Sequence, residues 1–312
     1  MPQHTDALDV AAHEVDYTEA SRKERETMNL LPTLTPTHSG SCPAVGRVYH
    51  CDWLSLVSAL PAQSVDAYIL DLPYGTTACS WDEIIPFEPM WREVKRTLKP
   101  RGVFVTTASQ PFTSKLVMSN LEMFKYSWVW VKSRAVDFIN ANYRPMKKHE
   151  DVIVFSQAAA APGAKSIMNY WPQGMSHSPV TRVRSKGMGI GRDRESQLGI
   201  YISNGEHYPT SILEFSSEVD TLHPTQKPVA LYEYLIRTYT QPGELVVDFC
   251  MGSGTTCVAA RNLKRAFIGC DTDAGYVAIA RERLRQPYEQ HYITRESAPM
   301  DELPLFAANA TA

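Results

Sequence analysis

From residue 45 onward, short apolar runs alternate with segments whose apolar residues recur at helical spacing. Gly46-Arg47-Val48-Tyr49-His50-Cys51-Asp52 reads as a short strand ending in an acid, and residues 53–60 as a helix closed by Pro61. Val65-Asp66-Ala67-Tyr68-Ile69-Leu70 is a second strand, which delivers Asp71. A helix over 88–98, a buried strand over 102–106, a helical stretch over 113–121 and strands over 126–132 and 151–156 follow. After a long interruption the rhythm returns. Val229, Tyr232, Leu235, Ile236 and Tyr239 keep helical spacing, Pro242-Gly243 ends that helix, and residues 244–248 form a strand. A glycine-rich turn leads into a helix over 255–262, a strand over 266–270 ends at Asp271, and residues 274–284 are helical. Strands alternating with helices predict an α/β protein built on a doubly wound, parallel-rich sheet.

Two tails and one insert break the pattern and divide the chain at 1–44, 45–156, 157–220, 221–285 and 286–312. Residues 1–40 hold seven acids and three bases, and predict a disordered tail with one short helix near 14–30. Residues 286–312 are expected to be disordered too. The 157–220 insert is rich in Gly, Ser, Pro and Arg. Between Lys165 and Glu195 it carries Lys165, Arg182, Arg184, Lys186, Arg192 and Arg194 against only Asp193 and Glu195, and Tyr170, Trp171, Tyr201 and Tyr208 interleave the insert. This is the one distinctly basic stretch of the chain, and it suits contacts to phosphates.

Composition narrows the partners. Across 312 residues the formal net charge is -3, so any nucleic-acid contact must come from a local basic patch. No apolar run approaches a bilayer-spanning length, and the polar N-terminus lacks the layout of a signal peptide, so a cytoplasmic protein without membrane contact is expected. The six cysteines form no C-x-x-C pair; reduced thiols are expected, with no metal site.

Two strand ends carry the candidate chemistry. The first is Asp71-Leu72-Pro73-Tyr74-Gly75, where a carboxylate and an aromatic ring stand at the rigid end of an apolar strand. The second is Asp248-Phe249-Cys250-Met251-Gly252-Ser253-Gly254-Thr255-Thr256. A strand, a Gly-x-Gly turn and a helix let backbone approach a ligand closely. Asp271, nineteen residues after Gly252, stands where an acid can bind ribose hydroxyls. The third glycine of a dinucleotide fingerprint is absent, which favours a smaller nucleoside with an amino-acid tail.

These motifs together resemble the S-adenosylmethionine-dependent amino-methyltransferases of DNA. Phe249 to Thr255 is similar to their F-x-G-x-G-T turn, and Asp71-Leu72-Pro73-Tyr74 to their D-P-P-Y. His223-Pro224-Thr225-Gln226-Lys227-Pro228 is similar to the segment before the cofactor turn. Trp130-Val131-Lys132, Arg144-Pro145 and His149-Glu150-Asp151-Val152-Ile153-Val154-Phe155-Ser156 complete the likeness, which runs from about Val48 to Leu284. The catalytic motif precedes the cofactor motif, as in the beta class. The resemblance therefore implies a circularly permuted, Rossmann-like sheet whose chain begins near its third strand, with a target-recognition region in the 157–220 insert.

It also implies roles. Asp52 would contact the cofactor adenine, although the same acid could simply cap the helix after it. Asp271 would hold the ribose, and Asp248, Phe249, Cys250, Gly252, Gly254, Thr255 and Thr256 would form the cofactor turn. Thr225 and Lys227 would hold the methionine end. Double-stranded DNA becomes the partner, with Arg144 and the basic residues of the insert as its contacts, in a bacterial or phage-infected cell; a homodimer is compatible with the family.

An exocyclic amine is a poor nucleophile because its lone pair is delocalised into the ring. Asp71 and the carbonyl of Leu72, both accepting hydrogen bonds from that amine, would favour tetrahedral nitrogen, while Tyr74 stacks on a flipped base. Leucine in place of the family's usual proline keeps the carbonyl and loses only φ rigidity. An acid at the first position resembles the adenine-N6 enzymes more than the cytosine-N4 ones; a catalytically silent DNA-binding relative is the remaining alternative. In the C-terminal tail, Leu303-Pro304-Leu305-Phe306 looks like the short peptides that bind bacterial sliding clamps.

Overall fold

The structure is a computed structural model that describes residues 46–76, 82–177, 181–183, 200–202, 206–217 and 226–287. In chain order its strands are β1 (Arg47–His50), β2 (Val65–Asp71), β3 (Leu98–Ala108), β4 (Phe124–Val136), β5 (Lys147–Phe155), β6 (Ser176–His177), β7 (Thr181–Val183), β8 (Ile200–Ile202), β9 (Glu206–His207), β10 (Ile212–Phe215), β11 (Leu245–Asp248) and β12 (Ala266–Asp271). The helices are α1 (Trp53–Ala59), α2 (Phe87–Thr97), α3 (Phe112–Ser119), α4 (Val229–Tyr239), α5 (Thr255–Asn262) and α6 (Ala274–Arg285). None of the described helices is long and apolar enough to cross a membrane.

Eight strands form one sheet in the order β1-β12-β11-β2-β3-β5-β4-β10. Every neighbouring pair is parallel except the two made by β5, which runs against both β3 and β4. The expected doubly wound sheet is present. So is its permuted order: the chain enters at the β1 edge, and the central strand β11 comes late. Successive connections wind outward from β11 and β2 in opposite directions, so the crevice outside the ends of these two strands is the switch point where such sheets bind ligands.

β2 reads as a continuous apolar run because both of its faces are covered. Ala67 and Ile69 face one core layer with α4, α5 and α6, while Tyr68 and Leu70 face the other with α1, α2 and α3. The period of two along a strand makes that division. In the second layer Trp91 packs 4.9 Å from Phe104 and 4.8 Å from Phe155. Each large apolar side chain buried in this way stabilises the fold by about 1.5–3 kcal/mol. The polar exception in β2, Asp66, is buried, but accepts from Lys99 Nζ at 2.8 Å and from the Leu245 amide at 2.9 Å. It thereby ties β2 to the start of β11.

The antiparallel β5 decides where the insert begins. Its last residue, Phe155, pairs with Phe104 and its Asp151 with Ala108, so the chain leaves β5 at the end of the sheet away from the switch point. Residues 157–175 stay there, with Asn169 donating to the Arg101 carbonyl (2.9 Å) and Trp171 to that of Thr238 (2.7 Å). Beyond them, β6 pairs with β9 and β7 with β8, both antiparallel and in a common register: Ser176 opposes His207, and Thr181 opposes Ile202. Among the described residues each pair is a two-stranded sheet of its own.

Candidate active site

The two strand-end acids face one cavity of about 920 Å³, lined by both motifs. On one wall are Asp71, Leu72, Pro73 and Tyr74. On the other are Asp248, Phe249, Cys250, Gly252, Thr255, Thr256 and Asp271. The walls touch, since the Cys250 thiol donates to the Asp71 carbonyl at 3.3 Å.

Asp71 closes β2 in register with Thr107 of β3. Its Oδ1 accepts from the Thr107 hydroxyl and from the Tyr74 hydroxyl at 2.7 Å. Its Oδ2 lies 3.1 Å from Nζ of Lys227, a buried lysine whose ammonium is also 3.1 Å from Glu150 Oε2. That second contact is an ion pair without hydrogen-bonding geometry. Glu150 is paired at its other oxygen with Lys132. Burial pushes the Glu150 carboxyl up, but Lys227 and Lys132 outweigh it and hold it below the usual range. Burial likewise pushes Lys227 down, and Asp71 and Glu150 reverse this, leaving its ammonium above the ordinary lysine value. The outcome is a charged line, Asp71–Lys227–Glu150–Lys132, at one end of the cavity.

Tyr74 is stacked on Phe112, with centroids 5.2 Å apart and planes 25° apart, and Lys227 Nζ is 5.6 Å from its ring centre. Phe112 thus fixes the tyrosine plane. Leu72 is buried, and its carbonyl accepts no hydrogen bond among the described residues. The loop after it is pinned by Asp82, which accepts from the amides of Gly75 and Thr76 at 2.9 Å each.

On the opposite wall, Gly252 (φ 51°) and Gly254 (φ 80°) take the left-handed backbone that tightens the turn before α5. A Cβ at Gly254 would also meet the Ala280 Cβ at 2.7 Å. Asp271 accepts from the Gly252 amide at 2.9 Å and so braces this turn. Asp248 is buried; it accepts from the Thr256 hydroxyl at 2.6 Å and from the Cys250 amide at 3.1 Å. Burial pushes its carboxyl up to about 7. Burial also raises the Cys250 thiol well above its usual value, so it is a weak nucleophile.

Several expected residues fall elsewhere. Asp52 caps α1, accepting from the Ser55 amide at 2.9 Å, and it is the next residue, Trp53, that lines the cavity. Lys227, expected at the methionine end, lines the same cavity and lies against Asp71. Lys165 is exposed in the segment that packs on Arg101, six residues before Thr107 along β3, which puts it roughly 20 Å from the Asp71 site. Arg144 lies in the β4–β5 turn, with Nη2 2.7 Å from Asp137 Oδ2. Arg182 is on β7. Thr225, Arg184, Lys186, Arg192, Arg194 and the Leu303–Phe306 peptide lie outside the described residues, as do the expected N-terminal helix and all but the first two residues of the C-terminal tail.

Other cavity residues were named in the sequence without a role in the site: Lys132, Glu150 and Tyr232. The family-like segments Trp130-Val131-Lys132 and His149-Glu150-Asp151 were the available signal for the first two. Tyr232 kept helical spacing and so read as core alone. Among the described residues its buried hydroxyl makes no hydrogen bond of good geometry.

A permuted doubly wound sheet with a glycine turn at its switch point defines the class of S-adenosylmethionine-dependent methyltransferases. The profile of the DNA methylase family that acts at N6 of adenine or N4 of cytosine matches residues 65–282, and the chain belongs to that family. It is 28% identical over 238 residues to the type II methyltransferase M.HpaI of Haemophilus parainfluenzae, an alignment covering 72% of this chain and 69% of that one. Among solved structures, the M1.HpyAVI complex with S-adenosylmethionine is 25% identical with a TM-score of 0.50, covering 77% of this chain and all of that one. The cytosine-N4-specific PvuII DNA methyltransferase, 19% identical, shares the fold with a TM-score of 0.56 over 82% of this chain and 92% of that one. The cofactor is S-adenosylmethionine. The turn amides, the acids Asp248 and Asp271 and the Tyr232 side chain line the cavity and suit it, giving close backbone approach beside acceptors for a nucleoside.

Proposed function

We propose that the protein is a site-specific methyltransferase acting on the exocyclic N6 of an adenine flipped out of double-stranded DNA. The observation that carries this reading is the pairing of a Lys227-bound Asp71 carboxylate with the Leu72 carbonyl at the end of β2, facing the glycine turn. Both oxygens accept hydrogen bonds from the target amine and favour its tetrahedral form. S-adenosylmethionine supplies an electrophilic methyl group. Lys227, with Nζ 3.1 Å from Oδ2, holds the Asp71 carboxylate in place. Tyr74, its plane held by Phe112, stacks on the base, and Pro73 stiffens the chain between Tyr74 and the Leu72 carbonyl. Positioning of this kind supplies on the order of 7–11 kcal/mol of the barrier.

In this reading Trp53, the 252–256 turn, Asp248, Asp271 and Tyr232 surround the cofactor. An acid rather than serine at position 71 supports adenine over cytosine. Recognition is assigned to the antiparallel pairs β6 with β9 and β7 with β8, the latter carrying Arg182, because a two-stranded ribbon fits the major groove. The test is to digest DNA methylated by the purified protein to nucleosides and identify the product. N6-methyladenine is expected; N4-methylcytosine alone would overturn the assignment. Sequencing that maps methylated positions then gives the site.

A further inference from the structure

The β4–β5 turn is unlike the rest of the surface. Phe138 is 80% exposed, Ile139 86% and Tyr143 89%, a concentration of apolar area that marks an interaction site on a protein of this kind. The turn is built, not loose. Asp137, at φ 76°, accepts from Asn140 Nδ2 at 2.6 Å and pairs with Arg144, while the amides of Asn140 and Ala141 close a helical turn back on Asp137 and Phe138 at 3.1 and 3.0 Å. This turn begins where the cavity wall ends, since Val136 and Lys147 pair across the hairpin and both line the cavity. Around the apolar tip stand Arg134, Arg144, Lys147 and Lys148, all exposed, with Asp137 as the one acid between residues 134 and 148. A membrane or a protein partner would leave the choice of occupant open. A rigid apolar point ringed by cations at the mouth of a site for an extruded base fits a stacked polyanion.

We propose that Phe138 and Ile139 form a wedge that enters the DNA stack beside the target and fills the space the flipped base leaves, with Arg144, Lys147 and Lys148 on the adjoining phosphates. This rests on the reading of the site as one for a flipped base in duplex DNA. The wedge stabilises the open duplex, so its value disappears where the duplex is already open.

The test compares methylation of a matched duplex with that of the same duplex carrying an abasic position opposite the target. Phe138→Ala/Ile139→Ala should lose about tenfold or more on the matched duplex and less than about threefold on the abasic one. Phe138→Leu, which keeps apolar bulk, should retain matched-duplex activity. An equal loss on both substrates, or no loss on either, overturns the wedge. So does a wild-type dimer that the double variant dissolves, which would make the tip an interface between copies. If the wild-type protein methylates neither duplex, the flipped-base reading itself fails; if it methylates both and the variant does too, only the wedge fails.

Discussion

Two carboxylates end neighbouring strands in the same cavity, yet their surroundings oppose each other. Asp71, on β2, has a buried ammonium at 3.1 Å and two hydroxyl donors. Asp248, on β11, has a hydroxyl and a backbone amide and, among the described residues, no cation. Burial therefore lifts Asp248 to about 7, whereas Asp71 is supplied with a counter-charge. The contrast separates two uses of one residue type. An acid that must stay an acceptor for a developing ammonium is given a lysine. An acid that holds a turn in place needs only donors, and can carry a proton without losing its work.

Breaking the first member of this pair should have the largest effect. Asp71→Ala should lower the rate of methyl transfer by about 100-fold or more, read in single-turnover assays at saturating cofactor. Lys227→Met comes next. It removes a cation that, with Lys132, holds the Glu150 carboxyl below its usual range, so Glu150 titrates higher in the variant and stays protonated further up the pH scale. The rate should drop by about tenfold near neutral pH and climb with pH more steeply than in the wild type, which a pH–rate profile would reveal. A variant with an unchanged profile would show that Lys227 serves another purpose.

Asp248→Asn tests the other side, through stability. The folded-state carboxyl is raised, so its contribution is fully present below the unfolded value near 4 and is lost as pH rises through about 7. Urea unfolding of the cofactor-free protein should therefore show stability falling between about pH 4 and about pH 7. The asparagine variant should flatten that part of the curve by up to a few kcal/mol. The smallest effect is expected at Leu72→Pro, where the carbonyl remains and the losses are a long 3.4 Å bond from the Leu72 amide to the Thr106 hydroxyl and part of a buried side chain; activity within about twofold of wild type would sharpen the assignment of that carbonyl.

Much of this was legible in the sequence because the chemistry sits at strand ends. The apolar run before Asp71 and the run before Asp248 mark their strands, and the order of the two motifs implied the permutation. Lys227 was legible as a residue of interest, but its ion pairs were not. Its partners lie 156 residues away at Asp71 and 77 away at Glu150, and only folding brings them together. Asp52 shows the opposite case. The local pattern of an acid before a helix describes its cap, and the residue beside it, Trp53, lines the cavity. The direction of β5 was also hidden. It sends residues 157–175 to the far end of the sheet, so a basic residue such as Lys165 sits away from the site although its neighbours in sequence looked alike.

The most direct measurement sets Asp71→Ala and Asp248→Asn side by side, recording single-turnover methyl transfer to DNA and S-adenosylmethionine affinity by calorimetry. Asp71→Ala should lose nearly all transfer with affinity within about threefold of wild type, and Asp248→Asn should retain most of its transfer. Wild-type transfer by Asp71→Ala, or a loss in that variant accounted for wholly by cofactor affinity, would contradict the assignment of Asp71 to the reacting amine.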